Sequence, residues 1–490
     1  MSHREPFPSL VITEDAFIPQ GSFAEAQAEY LSPDPDVVSE LDALLRTKKI
    51  GVVAHFYMDP ELQGVLSACE WPHVHISDSL KMADAATTMV EAGCEHVVVL
   101  GVDFMSENAR AMLDAAGHAD VPLYRVAADP IGCSLAESAD ALEYGAYLTE
   151  ASRTKNALHV VYINTSLRTK GKAHALVPTI TCTSSNVVST VLTAFAQVPG
   201  VEIFFGPDTY MGANLLELFT TLSKMDDAAI RAVHPDHDRA SMQAVVERFH
   251  YFRQGTCIVH HMFGDEVAKQ VVEDYPDAFV SAHLEVPGEM FRVALQRQRE
   301  RDAGVAGSTS NILAFIEKKV AAAIDAGTTE RLPFVLGTEA GMITSIVNGV
   351  RGLLRARPGS GVEVEIIFPV AAGAIAEAPD SELAVVPGVS GGEGCTTAGG
   401  CATCPYMKMN SLDALLNVVR TVGVADDDLT PYFPRKYLEL IAGRQAADIG
   451  TEPILHMRAF SRAGRLSDAL VQDITTRAAP AASTGSDASA

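Results

Sequence analysis

Short apolar runs, many of them β-branched, recur along the chain and stop at clusters of polar or small residues, after which apolar positions return with a helical period. The instances are IGVVAHFY, HVHISDS, HVVVLGVDFMSEN, LHVVYINTS, PTITCTSSN, VEIFFGPDTYMGAN, GTCIVHH, AFVSAHLE, AGVAGSTSN and FVLGTEAGM. Strands apolar on both faces and alternating with helices predict an α/β fold of parallel sheets covered on both sides. Ligands of such sheets bind outside the carboxyl ends of the strands, where nearly all these polar clusters fall. Ten endings exceed one small sheet, and their spacing suggests about three α/β units, with a TIM barrel as the alternative.

Three of the helical stretches begin in a telling way. ISDSLKMADAATTMVEAG, TSSNVVSTVLTAFAQV and GSTSNILAFIEKKVAAAI each put Ser, Thr or Asn at the start. Such residues cap exposed N–H groups, and the same groups with the helix dipole attract carboxylate or phosphate. Ordinary capping accounts for any one of them, whereas several together favour a small anionic ligand. Residues 1–35, rich in Pro, Ser and acidic side chains, read as a loosely attached arm, and AAPAASTGSDASA after Arg477 reads as a low-complexity tail.

Composition narrows the partners. The 490 residues include 37 Lys plus Arg against 62 Asp plus Glu, a formal charge of −25, and no basic run is dense enough to follow a phosphate backbone. Nucleic acid and anionic membrane are excluded on that ground. The opening MSHREPFPSL has no apolar signal-like core, and no stretch approaches the roughly 18 apolar residues of a bilayer span. An intracellular protein in the aqueous phase is expected.

The cysteines carry the sharpest question. Of eight, Cys69, Cys94 and Cys182 lie in apolar surroundings and are expected to be buried thiols, whereas Cys133, Cys257, Cys395, Cys401 and Cys404 lie among glycines and polar residues. In GGCATCPYMKMN, Cys401 and Cys404 could be half of a zinc site, a redox dithiol or part of an iron–sulfur ligand set. Zinc wants a second Cys or His pair at short spacing, and none follows Cys404; a thioredoxin-like dithiol belongs early in its domain, at a helix start. A set drawn from distant segments is the further option: Cys133 in IGCSLAE, Cys257 in GTCIVHH and one cysteine of the terminal cluster. Three thiolates can hold a cubane and leave one iron open as a Lewis acid.

From about Lys48 to about Ser461 the chain resembles the quinolinate synthase family through AHFYMDPELQ, ISDSLKMAD, GCSLAE, VVYINTS, CTSSN, GPDTYMGAN, CIVHH, AHLE, GSTS, GTEAGM and CPYMKMN. It is similar above all to the long plant-plastid form, without the sulfur-transfer domain that precedes it there. The resemblance implies three related α/β (parallel-sheet, three-layer) domains around a pseudo-threefold axis. It implies an arm over 1–35, a first domain over 36–132 plus 405–476 with returning C-terminal helices, a second over 133–256, a third over 257–404 and a disordered tail over 477–490.

The family condenses iminoaspartate with dihydroxyacetone phosphate to quinolinate, phosphate and water in de novo NAD biosynthesis, using a [4Fe-4S] cluster. By the same resemblance Cys133, Cys257 and Cys404 are its ligands, and Cys395 with Cys401 lie nearby or form a redox-sensitive pair. His55, Tyr57, Tyr162, Asn164, His283 and Glu285 match catalytic positions. Ser79, Ser184, Ser308, Thr309, His260, Thr338 and Glu339 match substrate-binding positions. Also implied are a functional link to L-aspartate oxidase or dehydrogenase, with a homodimer left open, and a cytoplasmic location, or a plastid if the source is a photosynthetic eukaryote. The chain departs from short bacterial members, which have His-Pro-Glu where it has His283-Leu284-Glu285, and its segments 168–181, 287–303 and 343–394 are longer.

Overall fold

The computed structural model of this protein describes residues 5–29, 31–369 and 404–477. Strands β1 (Ser9–Ile12) and β2 (Phe17–Gln20) come first. After them β3 (Ile50–His55), β4 (Val74–Ser77), β5 (His96–Leu100) and β6 (Leu123–Tyr124) are separated by helices. The same holds for β7 (Ala157–Tyr162), β8 (Thr179–Cys182), β9 (Glu202–Gly206) and β10 (Phe249–Tyr251), and for β11 (Phe279–His283), β12 (Gly304–Gly307), β13 (Arg331–Gly337) and β14 (Glu363–Ile367). A small hairpin of β15 (Leu440–Ile441) and β16 (Arg444–Gln445) precedes the last helices. The alternation is that of an α/β protein, as the apolar runs predict.

Two units divide these elements, one drawn from Met1–Glu137, Thr183–Ser185 and Thr256–Lys436, the other from Ser138–Cys182, Asn186–Gly255 and Tyr437–Ala490. The first holds two sheets. One runs β4-β3-β5-β6 with every pairing parallel. The other runs β12-β11-β13-β14-β1-β2, parallel as far as β14 and antiparallel beyond it. The second unit is built on the parallel sheet β10-β9-β7-β8. Strands β3 and β7 are buried at every residue, which is why both are nearly unbroken apolar runs.

Three expectations are corrected. The arm is not loose: β1 is buried along its whole length and pairs with β14, Ser9 opposite Ile367, while Phe7 stacks on Tyr275 with ring centroids 5.5 Å apart. Three apolar residues after a serine, among prolines and acids, carry little local signal, and they become a strand only because β14 offers an open edge. Of the C-terminal helices, Leu412–Thr421 packs on Pro35–Thr47 in the first unit, whereas Ala446–Ala463 packs on Leu167–Leu176 in the second. A methyl group at Gly450 would collide with the Leu167 carbonyl and one at Gly171 with the Ala446 carbonyl, so the two helices meet backbone to backbone. Finally, Cys94 and Cys182 are buried as expected, but Cys69 is half-exposed. Cys395 and Cys401 lie outside the described residues, as does nearly all of the expected tail.

Candidate active site

In the first unit the functional side chains sit where strands stop. β3 ends at His55, β11 at His283 and β13 at Gly337, so Tyr57, Glu285, Thr338 and Glu339 ride on the turns that follow. Parallel register sets His283 beside Gly307 and Ala282 beside Gly337, which brings the β11 and β13 turns to one end of their sheet.

A continuous chain of polar contacts crosses these turns. The Tyr57 hydroxyl is 3.2 Å from Thr338 Oγ1, which is 3.3 Å from His260 Nε2. His260 Nδ1 faces Glu285 Oε2 at 3.1 Å and Cys257 Sγ at 3.3 Å. Two electron-rich neighbours favour the proton on Nδ1, which makes Nε2 an acceptor for the Thr338 hydroxyl and leaves the Thr338 oxygen to accept from the phenol. Cys257, His260 and Glu285 bring their ligand atoms within 4.8 Å of one another, spacing that suits a metal ion.

His283 is held as a neutral imidazole. Its Nδ1 accepts the Glu285 N–H at 3.3 Å, so Nε2 carries the proton and donates to Ser184 Oγ at 3.3 Å. Burial pushes its pKa down to about 3, outweighing the nearby Glu285, so the 3.7 Å approach to Glu285 Oε1 is not an ion pair at neutral pH. His55 is similar, its Nδ1 accepting the Tyr57 N–H at 3.2 Å and burial lowering its pKa to about 4. Burial, then the Glu285 charge, holds the Tyr57 phenol well above its usual range, so it stays a donor.

The three cysteine segments are stitched together. Ser134, next to Cys133, donates its hydroxyl to the carbonyl of Thr256, next to Cys257, at 3.0 Å. Tyr406, two residues past Cys404, donates to Glu137 Oε1 at 3.4 Å, and the Glu137 N–H returns to the Cys133 carbonyl at 2.9 Å. Cys404 donates its own N–H to Glu339 Oε1 at 2.5 Å.

The thiols also sense one another electrostatically: Cys133 and Cys404 each raise Cys257, and Cys133 raises Cys404. Burial is the largest cause, pushing Cys133 up to about 12 and the other two well above the usual thiol range. Backbone N–H groups nonetheless point at each sulfur, from Leu135 and Ala136 to Cys133, His260 to Cys257, and Tyr406 and Met407 to Cys404. Donors aimed at sulfur suit thiolates, and a bound cation would supply the charge that burial withholds. The donor set therefore fits an iron–sulfur cluster held by three cysteines.

The expected anion-binding helix starts are only partly free. Helix Ser79–Glu91 is capped by Asp78, whose Oδ1 accepts from the N–H groups of Leu80 and Lys81 at 3.1 and 3.0 Å, and whose Oδ2 accepts from Ser310 Oγ at 3.2 Å. Ser308 caps Thr309–Ala326 in a reciprocal box with Asn311. Ser79 and Thr309 are buried first residues of these helices. Tyr162 ends β7 and Asn164 follows it, both in the second unit.

Several residues of this site are absent from the sequence expectations. Asp78 and Ser310 tie two helix starts together, and Glu137 and Tyr406 tie two cysteine segments together. Gln63, a polar residue on the buried face of helix Pro60–Ala68, sends Nε2 to the carbonyls of Phe56, Met58 and Gly341 at 2.9, 2.7 and 2.7 Å. That polar intrusion into an apolar face was the one signal available.

An α/β protein with three converging thiols beside a histidine–glutamate cluster is thus defined before any comparison. The sequence model described as "Quinolinate synthetase A protein" matches residues 39–351, a stretch that contains Cys133 and Cys257. A chloroplastic quinolinate synthase of Nicotiana tabacum is 54% identical over 490 residues, covering 97% of this chain and 68% of that protein. One from Arabidopsis thaliana is 52% identical over 483 residues, covering 96% and 67%. Quinolinate synthase of Prochlorococcus marinus is 27% identical over 406 residues, covering 81% and 89%. The chain belongs to the quinolinate synthase family.

Proposed function

We propose that the protein condenses iminoaspartate with dihydroxyacetone phosphate to form quinolinate, phosphate and water, with a [4Fe-4S] cluster on Cys133, Cys257 and Cys404. The observation that carries this reading is the meeting of three cysteine segments, remote in sequence, beside Cys257, His260 and Glu285. When bound, the cluster supplies a Lewis acid with one iron lacking a protein ligand.

The protein's own groups supply proton handling and orientation. Glu285, hydrogen-bonded by His260 Nδ1–H, is the base that takes a proton from substrate carbon. Tyr57, which stays protonated, is the acid, and the hydrogen-bonded chain through Thr338 and His260 orients the phenol and Glu285 together. Neutral His55 donates from Nε2 to a substrate oxygen, whereas His283, its N–H spent on Ser184, positions that hydroxyl. Helix starts at Ser79 and at Ser308–Thr309 hold carboxylate or phosphate.

Iminoaspartate implies supply by an oxidase or dehydrogenase acting on aspartate. The chloroplastic names of the plant relatives favour a plastid over the cytoplasm. Purified without oxygen, the protein should be brown, hold about four irons per chain and make quinolinate. Cys133→Ser, Cys257→Ser and Cys404→Ser should each lose colour and turnover. Full turnover by a colourless, iron-free sample would eliminate the proposal.

A further inference from the structure

We infer that Glu339 is a positioning residue for Cys404, holding the third thiol in place through the backbone rather than acting on substrate. This rests on the three-cysteine cluster reading above. Cys404 precedes the short 3-10 turn Met407–Met409, which engages its carbonyl through the Lys408 N–H at 3.2 Å and leaves its own N–H to another partner. Its N–H is instead taken by a carboxylate 65 positions earlier in sequence, Glu339 Oε1, at 2.5 Å. A bond this short is directional, and it constrains the φ and ψ that aim Sγ.

The turn that bears Glu339 is itself immobilised. Gln63 Nε2 binds the Gly341 carbonyl at 2.7 Å while also binding those of Phe56 and Met58, which locks the β13 turn to the β3 turn. Gly341 lies so close that an added Cβ would sit 3.0 Å from Tyr57 Cα, and the Met342 N–H closes the turn on the Glu339 carbonyl at 3.3 Å. Glu339 itself is only 1% exposed.

The test compares wild type, E339Q, E339D and E339A after anaerobic reconstitution, counting iron and following loss of the cluster's visible absorbance under a fixed excess of chelator. Glutamine keeps an acceptor at the same reach, whereas aspartate keeps the charge but withdraws it by one methylene. E339Q should bleach at close to the wild-type rate, and E339A and E339D about 10- to 100-fold faster, the usual effect of removing a group that orients a ligand. Thermal unfolding of the iron-free forms provides the control. Equal bleaching of wild type and E339A overturns the inference while leaving the cluster reading intact, as does E339Q bleaching like E339A. A wild type that takes up no iron fails the cluster reading itself.

Discussion

His260 and His283 stack nearly parallel, ring centroids 4.8 Å apart at 19°, with Glu285 contacting both. Of the two rings His260 donates to the carboxylate, whereas His283 Nδ1 is spent accepting the Glu285 N–H. The carboxylate is therefore oriented by His260, as suits a base. Glu285→Gln keeps the size and one acceptor but abolishes proton uptake. Its kcat should fall about 10²- to 10⁴-fold, with iron content unchanged. Iron analysis and steady-state kinetics on one preparation check this, and wild-type kcat in the variant would remove Glu285 from the chemistry.

Thr338 joins the phenol to the imidazole, and no other described side chain is recorded bridging the two. Thr338→Val has nearly the same shape and lacks the hydroxyl, so it leaves buried polar groups of Tyr57 and His260 unmatched at about 1–3 kcal/mol. Expressed in kcat, that is about a 5- to 160-fold loss, and Thr338→Ser should recover most of it. Equal kcat in the Val and Ser variants would mean that only packing matters at this position.

The strand ends were legible and the ties between them were not. His55, His283 and Gly337 close strands buried on both faces, and such strands must be apolar until they stop, so HFY, HLE and GTE mark their own places. Asp78 with Ser310, Gln63 with Gly341, and Glu339 with Cys404 are contacts between segments 232, 278 and 65 positions apart, and no local period encodes them. The N-terminal strand hid for the same reason, because its partner β14 lies more than 350 residues away. Docking of Ala446–Ala463 on Leu167–Leu176 depends on two glycines whose meaning appears only when both helices are in view.

Gln63 offers a stability test separate from chemistry. Its amide satisfies three buried carbonyls at once, and Gln63→Leu keeps the volume while leaving them without that donor. The penalty should be about 1–3 kcal/mol, seen as a lower denaturant midpoint with unchanged slope. Because the β3 turn carries Tyr57, kcat should fall as well, whereas a midpoint equal to that of wild type would show the clamp to be idle.

Acid stability should carry the mark of His159 in the second unit. Its ring is fully buried on β7, with Nε2 2.8 Å from the Tyr144 hydroxyl and Nδ1 3.3 Å from Thr179 Oγ1. The Thr179 hydroxyl already donates to the Val177 carbonyl, so Nδ1 carries the proton and Nε2 accepts from the phenol. A second proton would set two donors against each other. Burial first, and the charge of His174 second, accordingly lower the folded pKa from 6.5 to about 3. With the folded value below the unfolded one, stability is whole above about pH 6.5 and drains as pH falls toward about 3, at about 1.4 kcal/mol per pH unit. His159→Gln keeps a donor and an acceptor without titrating, so its unfolding free energy should fall less steeply between pH 6 and pH 4 by about that slope. Denaturant unfolding of both proteins across this range is the measurement, and parallel curves would mean that His159 is not the group being charged.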